Sequence, residues 1–193
     1  MIDNIILASS SPRRKQLLEM IGFSGFKTIP ANMQEIVPKN IENPEEIVMY
    51  LAKCKATEVA DKYQLDALII AADTIVLIDD KILGKPKSNE EAFKMLRLLS
   101  DKYHFVYTGI CIYYRNSFCT EFEKTKVHFR DLTDEEIRAY IESGEPMDKA
   151  GAYGIQGKGS VFVSSINGDF YNVMGLPLCR LNNLLKKFGV SVL

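Results

Sequence analysis

The sequence predicts a single mixed α/β domain, a mixed sheet packed with helices, and three features carry that expectation. A short apolar stretch at residues 4–9 runs straight into a proline-started helical segment. A continuous apolar run at 67–72 has the composition of an interior strand covered on both faces. Two β-rich stretches, 104–114 and 118–129, lie between helix-start signals at Ser88 and Thr133.

Residues 4–9 read as a buried strand and 12–21 as a helix, with Ser11 at the N-cap, Pro12 at the first helical position and Gly22 as the stop. A loop containing Glu35 leads to a second helix that opens at Asn43-Pro44-Glu45-Glu46 and continues to about Tyr63. Its apolar stripe is Ile47, Val48, Leu51, Ala52, Ala56, Val59 and Ala60. The run at 67–73 is expected to end as a strand at Asp73, which puts that carboxylate at a strand's carboxyl end. A second strand at 75–78, a turn at Asp79-Asp80 and the segment Lys81-Ile82-Leu83 lead to the loop Gly84-Lys85-Pro86.

Ser88 with Glu91, and Thr133 with Glu136, read as capping boxes that open helices ending near Ser100 and Ser143. The two β-rich stretches join around Arg115-Asn116-Ser117 as a hairpin, a candidate for a lobe of its own. A glycine-rich segment at 151–159, a strand at 161–166, a turn at Asn167-Gly168 and a last helix at 178–188 complete the order.

Apolar residues make up 47% and charged residues 25%, ordinary globular usage that argues against disorder. With 24 Lys and Arg against 25 Asp and Glu, the net charge of -1 implies no broad basic face for a nucleic-acid polymer or an anionic membrane. Any anion site must be local. Cys54, Cys111, Cys119 and Cys179 are widely spaced among apolar neighbours and form no C-x-x-C pair, the pattern of buried free thiols in a reducing compartment. His104 and His128 lack partners at metal-ligand spacing, so a hard cation held by carboxylates is the metal chemistry left open. The cluster Arg13-Arg14-Lys15 follows a very short apolar stretch, unlike a signal peptide, and the run at 67–72 is far short of the roughly 20 residues that span a bilayer. The expected location is cytoplasmic.

Three placements run against ordinary helix and strand usage. The opening turn of the first helix carries Arg13, Arg14 and Lys15, where the macrodipole favours acids. An anion reverses the sign of that conflict, since free N–H groups, the dipole and guanidinium forks then converge on it; a solvated basic turn is the other reading. Lys55 falls between Leu51 and Val59 in or beside an apolar stripe, where a lysine ordinarily snorkels to water. Asp73 closes an interior strand, either as a turn or cap residue or as part of a ligand site of the kind that gathers outside strand ends in α/β sheets, where Ser9 and the Ser10-Ser11 turn also belong if the two strands are parallel neighbours. The glycine-rich segment resembles a phosphate loop only in part. Walker A needs glycine where Ala152 stands and Ser or Thr where Gly159 stands. A loop that offers Gln156 to a base edge or Tyr153 to a ring, and a loop that merely turns, both fit the segment.

The order and wording of these pieces resemble the Maf family of nucleotide pyrophosphatases from end to end: LASSSPRR, a Glu in the following loop, LAKCKA, AADT, GKP, DKAGAYGIQGKG and NVMGLPL. The resemblance implies a Maf/ITPase-like two-lobed architecture with a central cleft, and hydrolysis of a nucleoside triphosphate to monophosphate and pyrophosphate with a divalent cation, Mg or Mn. In that pattern Ser9, Arg13, Arg14, Lys55 and Lys85 face the phosphates, Glu35 helps hold the metal, and Asp73 accepts the proton of the attacking water and is a second candidate metal ligand. The branch that handles dTTP and UTP is marked by the double arginine, by Thr after the catalytic Asp and by Gln in the GIQG loop, here Arg13, Thr74 and Gln156. A homodimer is compatible with the resemblance.

Attack on a triphosphate brings oxygen against several negative charges, so a site must neutralise phosphates, orient water and remove its proton. Asp73 and Glu35 together suit that chemistry. Two rivals stand beside it: a nucleotide-binding regulator of septum formation or cell division, which needs the basic grip but not both carboxylates, and a house-cleaning pyrophosphatase for non-canonical purine nucleotides.

Overall fold

The computed structural model describes residues 4–63 and 66–192. Among them seven strands form one mixed sheet: β1 (Ile5–Leu7), β2 (Lys27–Thr28), β3 (Leu68–Ile78), β4 (Lys81–Leu83), β5 (Tyr103–Tyr114), β6 (Ser117–Phe129) and β7 (Val163–Asn167). The spatial order is β2-β1-β3-β5-β6-β7, with β4 on β3. β1 runs parallel to β2 and β3, whereas β4 on β3 and β7 on β6 are antiparallel. The helices are α1 (Pro12–Met20), α2 (Pro44–Tyr63), α3 (Asn89–Leu99), α4 (Asp134–Glu142), α5 (Phe170–Met174) and α6 (Leu178–Lys187). No described helix is long and apolar enough to cross a membrane.

By contacts the chain divides into two compact units, the first comprising Met1–Asp73, Thr108–Glu123 and Gly175–Leu193, the second Thr74–Tyr107 and Lys124–Met174. The divisions fall inside β3, β5 and β6. In the first unit the stripe of α2 is buried residue for residue as its periodicity requires. Much of the core it enters is built from small side chains, among them Ala8, Ala52, Ala56, Ala60, Ala67 and Ala71. The closest approach is at Gly109 of β5, where a Cβ would collide with the backbone carbonyl of Val48. The α6 helix is tied to β6 through Arg180, which reaches Glu121 at 3.0 Å and Glu123 at 2.9 Å.

The second unit is packed with larger groups. Val76, Leu96, Leu99, Phe129, Ile137, Tyr140, Tyr153 and Phe162 share its core. The ring centroids of Tyr140 and Phe162 are 5.0 Å apart, nearly edge to face, and those of Phe129 and Tyr153 are 4.7 Å apart. Thr133 and Glu136 make a complete capping box at α4. At α3 only half of the expected box forms: the Ser88 hydroxyl accepts the Glu91 N–H, while the Glu91 carboxylate takes the N–H of Lys87 instead.

Several expectations are corrected. β3 does not stop at Asp73; it continues to Ile78, because β-branched Thr74 and buried Ile75, Val76 and Ile78 sustain the ladder with β4. Residues 158–162 form a 3-10 turn that carries Phe162 into the core, and the strand begins only at Val163. α5 carries no strong periodic signal and is fixed by tertiary contact, with the buried Asn172 amide donating to the Val106 carbonyl at 3.0 Å and to Thr125 Oγ1 at 2.9 Å. Of the four free thiols only Cys111 is fully buried, and Cys179 is exposed. The two-residue hairpin turn is as expected, with Arg115 and Asn116 at φ 46° and 61°.

Candidate active site

The first unit holds six of the expected residues, Ser9, Arg13, Arg14, Glu35, Lys55 and Asp73, with Ser9 and the two arginines just past the carboxyl end of β1. The β1–β3 ladder ends at the pair Leu7 and Ile70, so Ser9 emerges from β1 while β3 carries Asp73 on past that pairing. The Ser9 hydroxyl accepts the N–H of Ser11 and a guanidinium N–H of Arg14, each at 3.2 Å. Ser11 occupies the N-cap position of α1 with extended φ and ψ but makes no side-chain cap. The expected side-chain cap is therefore not formed, and the Ser9 hydroxyl takes the N–H of Ser11 itself, ahead of the helix.

Arg14 Nε donates to the carbonyl of Gly175 at 2.8 Å. That carbonyl is aimed by a backbone at φ 106°, a conformation suited to glycine. Two edges of the Arg14 fork are thus used in positioning, a role whose mark on the sequence is the glycine inside NVMGLPL. Burial lowers the Arg14 pKa, the carboxylate of Asp73 opposes that effect, Arg13 adds to it and Glu35 opposes it. Those influences place both carboxylates within electrostatic reach of the basic turn of α1.

Lys55 is the hub. It emerges from α2, and its Nζ lies 2.5 Å from Asp73 Oδ1 and 2.7 Å from Glu35 Oε1. The Asp73 side chain is 7% exposed, that of Lys55 14% and that of Glu35 54%. The lysine therefore does not snorkel away from the stripe; it neutralises a buried carboxylate, which would be costly alone. Glu35 and Asp73 supply hard oxygens drawn to one cationic centre. No group of three or more His, Cys, Asp or Glu among the described residues is arranged for a metal. Glu35 and Asp73 are nevertheless the pair that could hold a divalent cation, which favours hard carboxylate oxygens.

The remaining expected residues belong to the second unit. Thr74 follows Asp73 in β3 and is half-buried. Lys85 is exposed on the loop after β4, where the carbonyl of Gly84 accepts the N–H of Gly151 at 3.1 Å. Gln156 is exposed in the glycine-rich segment, between buried Ile155 and half-buried Gly157. Tyr153, expected as a possible ring platform, is instead a core residue only 6% exposed, with its hydroxyl 2.8 Å from Nε2 of His104.

Known proteins resemble this chain along its whole length. A protein of Dictyoglomus turgidum named dTTP/UTP pyrophosphatase is 48% identical over 191 residues, spanning 98% of both chains. A protein of Bacillus cereus with the same name is 51% identical over 188 residues, 97% of each. Among solved structures, a HAM1 protein from Coxiella burnetii shares the fold at a TM-score of 0.52 and 18% identity, over 95% of this chain and 98% of that one. Residues 4–188 match the family described as Maf-like protein, and with that extent of agreement this chain belongs to the Maf family.

Proposed function

We propose that this protein hydrolyses dTTP and UTP to the monophosphate and pyrophosphate. The observation that carries the reading is the Lys55 bridge, which brings a buried carboxylate and a second, exposed carboxylate together beside the basic first turn of α1. Its substrate class is supported by the names of the relatives that are about half identical. Arg13, Arg14, Lys55 and Lys85 supply positive charge for the triphosphate, and Ser9 a hydroxyl. Asp73 takes a proton from water as the water oxygen bonds to the α phosphorus and the bond to the bridging oxygen breaks, releasing pyrophosphate. Thr74 and Gln156 select the base.

Glu35 and Asp73 are the residues that would hold a divalent cation, Mg or Mn, which when bound adds Lewis acidity and charge neutralisation at the phosphates. Lys55 then has a second task, since its ammonium can turn from the carboxylates to the phosphates once their charge arrives. A turnover screen of UTP, dTTP, CTP, GTP and ITP with Mg or Mn tests the reading. The expected products are UMP or dTMP with pyrophosphate. Accumulation of UDP with orthophosphate, or a preference for ITP, would overturn it.

A further inference from the structure

The glycine-rich loop is built around a carboxylate. Glu145 lies in a short 3-10 turn just before it, and its Oε2 accepts the N–H of Lys158 at 2.9 Å while Oε1 accepts the N–H of Gly159 at 3.3 Å and the Tyr140 hydroxyl at 2.9 Å. Tyr140, from α4, completes the clamp by accepting the N–H of Gly154 at 3.1 Å. Loop N–H groups on both sides of Gln156 are thereby committed within the protein. Two of those that a phosphate loop would turn towards its ligand, at Lys158 and Gly159, point instead to an anionic side chain.

The glycines fit the clamp member by member. A Cβ at Gly157 would lie 2.6 Å from Cδ of Glu145, one at Gly159 would lie 2.9 Å from the Tyr140 hydroxyl, and one at Gly154 would lie 2.6 Å from Cε of Lys149. Lys149 in turn donates to the carbonyl of Glu145 at 2.6 Å. Burial and the Glu145 carboxylate push the Tyr140 hydroxyl pKa up, so it stays protonated and able to donate. Ile155 and Tyr153 anchor the loop in the core. Gln156, flanked by these fixed points, is left exposed.

We propose that Tyr140 and Glu145 are positioning residues for base selection: they hold the loop so that the Gln156 amide meets the nucleobase in one orientation, and they make this loop a reader of bases and not of phosphate. The assignment rests on the pyrimidine nucleotide reading above. A hydrogen bond to a base edge discriminates only if the amide cannot follow the wrong base, so the rigidity of the clamp sets the selectivity. The carboxylate also repels a phosphate chain, which disfavours a reversed nucleotide.

The test uses Tyr140→Phe, Glu145→Gln and Gly157→Ala in the full-length protein, with kcat and KM measured for UTP and CTP in saturating Mn. Tyr140→Phe removes the hydroxyl that joins Gly154 to Glu145, and Gly157→Ala puts a methyl group where the carboxylate stands. Both are expected to reduce the UTP over CTP ratio of kcat/KM about tenfold, through a higher KM for UTP with kcat nearly unchanged. Glu145→Gln keeps one acceptor oxygen and should fall between them and the parent. A purely structural role predicts lower thermal stability with all nucleotides slowed in proportion. That pattern, or an unchanged ranking in all three variants, overturns the positioning role alone. A parent protein that turns over no pyrimidine nucleotide overturns the functional reading and the base-selecting role with it.

Discussion

Lys55 and Asp73 form a nearly buried ion pair, Nζ to Oδ1 at 2.5 Å, that joins the middle of α2 to the middle of β3. The pair couples stability to chemistry. In Asp73→Asn the side-chain size and some hydrogen bonding survive while the proton acceptor is lost, so single-turnover hydrolysis of UTP should fall roughly 10²- to 10⁴-fold. UTP affinity should change far less. Near-normal turnover would return Asp73 to a structural role, and parallel loss of Mn binding would make it a ligand first.

Removing the other partner should do the opposite damage. Lys55→Met leaves the Asp73 carboxylate buried without its counter-ion, a situation that typically costs about 3–5 kcal/mol. Urea unfolding is expected to show a clear drop in midpoint, partly restored in the double variant Lys55→Met/Asp73→Asn. Additive losses in the double variant would deny the coupling.

Base selection should rest on Gln156 and Thr74. Alanine at either position is expected to weaken discrimination between UTP or dTTP and the other nucleotides by about 1–3 kcal/mol, with turnover of the best substrate less affected. An unchanged ranking of nucleotides in both variants would count against the assignment.

His104 is expected to make stability depend on pH. Its ring is fully buried beside the Tyr153 hydroxyl, and burial, aided by His128, pushes its pKa down to about 3. An unfolded histidine titrates near about 6.5. On acidification the unfolded chain therefore takes up the proton before the native one does. The contribution is whole above roughly pH 6.5 and is lost as the pH falls towards about 3, by at most about 1.4 kcal/mol per unit. Thermal unfolding measured across that window should show a shallower slope in His104→Asn than in the parent. Parallel slopes would remove His104 from the account.

Gly109→Ala tests the closeness of α2 to the sheet. A methyl group there meets the Val48 backbone, which cannot rotate away, so the helix must shift. Overpacking of this kind costs roughly 1–3 kcal/mol, and the denaturation midpoint should drop by the corresponding amount. A midpoint equal to that of the parent would mean that α2 has slack at this contact.

Local physics made much of this chain legible from its residues. The span and buried face of α2 follow from an N-terminal proline, an acidic first turn and apolar spacing, all of which act within a few residues. The same holds for the capping box of α4 and for the hairpin turn at Arg115 and Asn116. The unusual placements of Arg13, Arg14, Lys55 and Asp73 were visible too, because each departs from a local preference. What local patterns could not contain was which of these groups touch. Lys55 lies 18 positions from Asp73, and only the parallel pairing of β1 with β3, with α2 packed on that ladder, turns an ordinary snorkelling site into a counter-ion for a buried carboxylate. The continuation of β3 through Asp73 likewise depended on a partner strand, β4, since a carboxylate that reads as a stop in isolation is tolerated when an ammonium neutralises it. Arg14 on Gly175, 161 positions away, and Glu145 inside the glycine-rich loop are contacts of the same kind: hydrogen bonds to backbone groups, whose identity leaves no mark on the sequence beyond a glycine where a side chain would not fit.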